Sequence, residues 1–260
     1  MPRPLLRSSV AALMATTLAI PGELRAGDMA CPPGMVFVPG GAAPLGLADD
    51  VDALAPAARA LGPLCVDRTE VTVAQYLACV AGGRCPASQG TIFFPGYGPP
   101  EPMRSQLSAH CNAPRPDRKD HPMNCVDQEA AALYCASQGG RLPSEEEWEY
   151  AARGPEANRY PWGSWRPGAS SAPLCWDRRR SALGTCPVGQ FPGGATRAGA
   201  LDMAGNVWEW TASSRSGAFI VRGGGWTNFL PRFVSSTYRW PLAASTRLNC
   251  LGFRCVRPSE

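Results

Sequence analysis

Cysteines, acids and glycines carry whatever chemistry this chain can do. Eleven cysteines, Cys31, Cys65, Cys79, Cys85, Cys111, Cys125, Cys135, Cys175, Cys186, Cys250 and Cys255, are spread along 260 residues. Thiols pair as disulfides, hold soft metals or act as redox nucleophiles. No C-x-x-C spacing occurs and the chain has 2 histidines, His110 and His121, so a structural zinc site is not expected. Proximity favours local pairs instead, Cys79 with Cys85, Cys111 with Cys125 and Cys175 with Cys186, while Cys31 with Cys65 would tie the first strand to the segment entering the first helix. Eleven is odd, so at least one thiol lacks a partner within the chain.

The second chemical feature is Asp202-Met-Ala-Gly-Asn-Val-Trp-Glu-Trp210. Two carboxylates, Asp202 and Glu209, flank a turn carrying the carbonyls of Gly205 and Val207, and this is a hard oxygen set of the kind Ca2+ takes. The alternative is that Asp202 caps the turn while Glu209 meets an arginine such as Arg222 or Arg254. Close behind comes Arg222-Gly-Gly-Gly-Trp226. A phosphate cradle would need a following Lys-Ser/Thr and a helix, and neither is present. Trp208 and Trp226 fit either a substrate cleft or the core. Glu145, Glu146 and Glu147 look like paired acids for proton transfer, yet three acids in a first helical turn more simply favour the helix dipole.

Short elements must position these groups. With 28 glycines and 27 prolines the chain reads as turns and loops joining brief strands and helices. Alternating apolar residues between Pro33 and Pro39 predict a strand. The run from Glu70 to Ala81 predicts a helix ended by Gly82-Gly83. Asp127 caps a second helix reaching Gln138, and Ser144 with Glu147 forms the capping box of a third that Gly154 closes. Further strands are expected at 207–211, 219–222 and 251–256. The irregular stretches 82–120 and 154–199 need cross-links in a compact domain, and the cysteines supply them.

Arg3 and Arg7 precede the apolar run Val10 to Ile20, and Ala26 offers a small residue for cleavage, so residues 1–26 read as a signal peptide. That run is well short of the roughly 20 residues of a membrane span. The expectation is an exported, periplasmic or secreted, protein with one domain over 27–260 and no membrane span. The formal charge of +4 falls to +2 once three arginines and one glutamate in 1–26 are removed. The basic residues are scattered apart from Arg178-Arg179-Arg180, so no nucleic-acid partner is expected.

Glu70-Val-Thr, Gly140-Arg-Leu-Pro-Ser-Glu-Glu-Glu-Trp-Glu-Tyr-Ala-Ala-Arg-Gly154, the Asp202–Trp210 block, Arg222-Gly-Gly-Gly-Trp226 and Gly252-Phe-Arg-Cys255 follow in order. The series resembles the formylglycine-generating enzyme (sulfatase-modifying factor) family from about residue 31 to residue 257. The resemblance implies an α+β, loop-rich, disulfide-stabilised fold related to the C-type-lectin-like fold. Active members of that family oxidise a sulfatase-peptide cysteine with Cu(I) held by two thiolates at C-x4-C spacing, just after an Arg/Lys-Gly-Gly-Ser turn. On this chain the serine falls at Gly225 and the thiolates at Asn228 and Phe233, so copper and formylglycine generation are not expected. A structural disulfide of the family falls on Cys135 and Cys255, which leaves Cys250 as the odd thiol. Asp202, Gly205, Val207 and Glu209 match a calcium site of the family. The expectation is a monomeric, calcium-stabilised binding or structural module whose ligand is a protein, a peptide or a glycan, with Trp208 and Trp226 in its cleft. The alternative is an oxidoreductase acting on a protein or peptide thiol.

Overall fold

The structure is a computed structural model that describes residues 31–48, 52–96, 98–167, 173–176 and 184–259. The signal peptide expected over 1–26 and the Arg178–Arg180 triplet lie outside the described residues. Chain order gives β1 (Met35–Val38), β2 (Gly41–Leu45), β3 (Ala57–Leu61) and β4 (Leu64–Asp67), then helices α1 (Val73–Ala81), α2 (Met103–Ser108), α3 (Gln128–Ser137) and α4 (Glu145–Arg153). Strands β5 (Trp208–Arg215), β6 (Ala218–Arg222), β7 (Arg239–Leu242), β8 (Leu251–Gly252) and β9 (Val256–Pro258) complete it. Three sheets form: β1-β4-β9, the β2-β3 hairpin, and β7-β6-β5-β8, in which β5 and β8 run parallel.

Two helices start where side-chain capping predicts. Asp127 accepts the Ala130 N–H, and Ser144 and Glu147 bond reciprocally across the first turn of α4. Helix α1 starts later than expected. Thr72 accepts the Gln75 N–H while the Gln75 side chain accepts the Thr72 N–H, so this reciprocal cap fixes the start and leaves Glu70 ahead of the helix, buried.

The expected strand 251–256 is two strands in two sheets. Strand β8 pairs with β5, the chain leaves the sheet at Phe253, and β9 pairs with β4. Arg254 accounts for the break, because its inward-turned guanidinium donates to the Asp67 and Leu201 carbonyls at 2.9 Å each. The β2-β3 hairpin, α2 and β7 had no sequence signal. Helix α2 buries no residue, so it has no apolar period to display.

Aromatic side chains bridge the elements of the core. Tyr76, Tyr134, Phe253, Trp208, Trp210 and Trp226 join α1 and α3 to the four-stranded sheet. Trp148 and Tyr150 of α4 pack against Val38, Leu64 and Met203. All five expected disulfides form, Cys31–Cys65, Cys79–Cys85, Cys111–Cys125, Cys135–Cys255 and Cys175–Cys186, and Cys250 is left as the free thiol. Cys135–Cys255 spans 120 residues and ties α3 to the C-terminal segment. Among the described residues, no helix is long and apolar enough to cross a membrane.

Candidate functional site

Strand β6 ends at Arg222, and the chain then turns through three glycines against the Asp202–Val207 turn. Gly205 N–H donates to the Gly223 carbonyl at 2.9 Å and Trp226 N–H to the Asn206 carbonyl at 2.8 Å. Arg222 is fully buried, donating from Nη2 to Glu149 Oε2 at 2.9 Å and from Nη1 to the Thr237 carbonyl at 3.0 Å. It is a structural cation. Gly224, at φ +74°, has no room for a side chain, since a Cβ would lie 2.6 Å from the Phe233 carbonyl oxygen.

The three positions of the copper chemistry are occupied by packing. At Gly225 a Cβ would meet the Cys250 carbonyl oxygen at 3.0 Å and the Cys250 Cβ at 3.1 Å. Asn228 folds back on the turn, its Oδ1 accepting the Gly225 N–H at 2.7 Å. Phe233 stands edge-on to Tyr238 with ring centroids 5.1 Å apart, and the Arg232 guanidinium covers its ring at 4.7 Å. Between them Phe229 and Leu230 are 66% and 40% exposed, an apolar tip on the rebuilt turn. Cys250, next to Gly225, is buried, and burial pushes its thiol up to about 11. A neutral, enclosed thiol is a poor nucleophile and a poor metal ligand.

The acid block forms a second, adjoining cluster. Asp202 takes φ +57° and accepts the Gly189 N–H at 2.5 Å, the turn-capping role. Glu209 is fully buried: Oε1 accepts from Arg254 Nη2 at 2.7 Å, and Oε2 accepts from Arg254 Nε at 2.7 Å and Trp148 Nε1 at 2.6 Å. Of the two readings left open for Glu209, the geometry therefore takes the arginine. Gly205 and Val207 are buried on the same turn, Gly205 so close to the Cys175 carbonyl oxygen that a Cβ would lie at 2.5 Å. An unexpected acid, Glu70, completes the cluster from the loop before α1. It is 1% exposed and faces Asp202, and among the described residues no hydrogen-bond donor reaches either of its oxygens. Burial, and then the Asp202 carboxylate beside it, hold the Glu70 carboxyl well above the usual range. Burial also raises Asp202, and it raises Asp67 to about 6 although Asp67 accepts the Cys255 N–H at 2.8 Å.

The remaining candidates are structural. Trp208 and Trp226 are buried core residues, which corrects their placement in an open cleft. Trp208 packs between Tyr238 and Trp240, and Trp226 lies against His110 while its Nε1 donates to the Asn249 carbonyl at 3.0 Å. His121 is buried beside Arg118 and Thr185, and burial with the Arg118 charge pushes its pKa down to about 4. Glu147 binds Arg141 and caps α4, Glu146 lies 3.4 Å from Arg59, and Glu145 lies 3.4 Å from Arg222. These acids do not form a proton-transfer pair. Sequence reasoning missed Glu149, the buried anion that joins Arg222, Arg153 and the Gly46 N–H. Its one local signal, an i,i+4 spacing to Arg153, is equally that of a solvated helix pair.

The family described as "Sulfatase-modifying factor enzyme 1-like domain" matches residues 23–259. The formylglycine-generating enzyme of Mycobacterium tuberculosis is 45% identical over 106 residues, covering 37% of this chain and 35% of that protein. A Mus musculus protein named inactive C-alpha-formylglycine-generating enzyme 2 is 35% identical over 169 residues, covering 55% of this chain and 53% of that protein. The matches thus span about a third to a half of the length of these curated relatives. Among solved structures, PvdO from Pseudomonas aeruginosa shares the fold, with a TM-score of 0.64 at 23% identity over 86% of this chain and 94% of that one.

Proposed function

The chain belongs to the formylglycine-generating enzyme (sulfatase-modifying factor) family, and from that premise we propose that it is a member without formylglycine-generating activity, acting as a binding or structural module. One observation carries this reading. The turn that would hold copper is filled by side chains with other tasks: Asn228 closes the turn onto Gly225, and Phe233 stands edge-on to Tyr238 beneath the Arg232 guanidinium. An amide oxygen and a phenyl ring offer Cu(I) nothing comparable to two thiolates. The mouse relative named as an inactive member supports the same reading.

The rebuilt turn gives the module its binding surface. Phe229 and Leu230 present apolar side chains beside Arg232, which fits a peptide or protein partner better than a glycan. Calcium belongs to the reading as a stabilising ion rather than a reagent. Export to an oxidising compartment fits ten paired cysteines. The oxidoreductase alternative would need a reactive thiol, and buried Cys250 supplies a neutral one.

The test is direct. The purified protein is incubated with Cu(I), oxygen and a sulfatase-type Cys-x-Pro-x-Arg peptide, and the peptide is followed by mass spectrometry. An unchanged peptide is expected; conversion of its cysteine to formylglycine overturns the reading.

A further inference from the structure

Charge is spread unevenly along this chain, and the rebuilt turn lies where the imbalance is greatest. Between Glu209 and Glu260 the sequence carries seven arginines and no acid. Four of them meet a carboxylate from elsewhere in the fold: Arg222 meets Glu149, Arg239 meets Glu145, Arg247 meets Asp127 and Arg254 meets Glu209. Arg232 does not. It is exposed, its guanidinium lies over the Phe233 ring, and among the described residues no carboxylate pairs with it. A ring face attracts a cation but leaves its charge in place.

The segment that follows the turn fixes its surroundings. Val234 is buried in one cluster with Tyr160 and Trp176, and the Ser236 N–H donates to the Arg159 carbonyl at 2.9 Å, so residues 159–162 lie against residues 234–236. Tyr160 is buried and stacks on Trp162 with ring centroids 5.3 Å apart, and Trp162 meets Trp165 at 5.5 Å. This ladder leads aromatic surface outward from the core to Trp165, which is 50% exposed. Arg159 and Arg166 flank it, both exposed and, among the described residues, without an ion pair. Glu156, the acid nearest Arg159 in sequence, is taken by Arg197.

We infer that the face formed by Phe229, Leu230, Trp165 and the cations Arg159, Arg166 and Arg232 docks a protein segment that is acidic and carries apolar side chains. Exposed aromatic and aliphatic tips call for an apolar counterpart, and three cations without an acid among them call for carboxylates. A segment that interleaves the two supplies both. The arginines steer it and set its register. Phe229 is the anchor, because a large side chain that leaves water at the centre of an interface contributes most to holding it. This inference rests on the binding-module reading of the proposed function and names the chemistry of its partner.

The experiment titrates the full protein against three labelled synthetic peptides of equal length, followed by fluorescence polarisation. One alternates Glu with Phe and Leu, the second has every Glu replaced by Lys, and the third has every Phe and Leu replaced by Ser. None contains cysteine, so binding is read independently of formylglycine formation. The first peptide is expected to bind with an affinity that falls as salt rises, and the other two about tenfold or more weakly. Arg232→Glu and Phe229→Ser are each expected to weaken the first peptide by about tenfold with the melting temperature unchanged, since both side chains are exposed. Arg59→Glu, the same charge change on the β2-β3 hairpin, is expected to leave its affinity unaltered. Failure of the acidic apolar peptide to bind overturns the inference. Equal binding of the Lys peptide overturns it, as does an Arg59→Glu protein weakened as much as Arg232→Glu. Heparin that binds more tightly than the acidic peptide and is lost in Arg232→Glu identifies an acidic glycan and also overturns it.

Discussion

Asn228 and Gly225 are joined by a 2.7 Å hydrogen bond from the Gly225 N–H to the Asn228 side-chain oxygen, while the far side of Gly225 is closed by Cys250. The turn is therefore locked from within and filled from outside. Asn228→Ala is expected to destabilise by about 1 kcal/mol through the lost hydrogen bond. Gly225→Ser is expected to cost about 1–3 kcal/mol, because its Cβ would stand 3.0–3.1 Å from Cys250. Urea unfolding checks both. Adding Cys250→Ala should not recover the loss, because alanine keeps both crowding atoms, the Cys250 carbonyl oxygen and Cβ, and recovery would show that the thiol closes that space instead.

Glu149 bridges two buried arginines at once, Arg222 and Arg153. Glu149→Gln takes the carboxylate from Arg153 and leaves Arg222 only the more distant Glu145 at 3.4 Å, and is expected to destabilise by roughly 3–5 kcal/mol. A loss below about 1 kcal/mol in thermal or urea melts would contradict this anchoring of the glycine turn to α4.

The thiol state gives a simple count. In denaturant without reductant, a thiol reagent should find one free group, Cys250, and in native buffer it should react slowly because that thiol is buried. Several reactive thiols in native protein would favour redox chemistry instead. Removing Cys135–Cys255 by a double alanine substitution is expected to cost about 4–5 kcal/mol on the chain-entropy relation, given its 120-residue separation.

Acid stability should reveal two opposing groups. The His121 pKa lies near 4 in the folded protein against an ordinary 6.5, so the unfolded chain binds the proton first. Its contribution is complete above about pH 6.5 and is lost as pH falls toward 4. Asp67 runs the other way, since its pKa rises from 3.8 to about 6 and its contribution is lost as pH rises through that window. Melting curves between pH 7.5 and 4 should be flatter for His121→Gln than for wild type and steeper for Asp67→Asn.

Much of this protein was legible before folding. Asp127, Ser144 and Glu147 marked two helix starts because capping is local, and five cysteine pairs were readable from proximity and family resemblance. The vacated copper positions, Gly225, Asn228 and Phe233, were also legible, because a missing thiol is a fact of sequence. What replaces the thiols was not. That Asn228 bonds to Gly225, that Phe233 meets Tyr238 and that Cys250 closes the turn are contacts of tertiary structure. The same holds for Glu70, which sequence placed on a helix and the fold set opposite Asp202, and for Glu209, whose partner Arg254 lies 45 residues away. Residue types and spacing determine what chemistry is available, but burial and long-range pairing determine which charges are satisfied, and those are properties only the folded chain possesses.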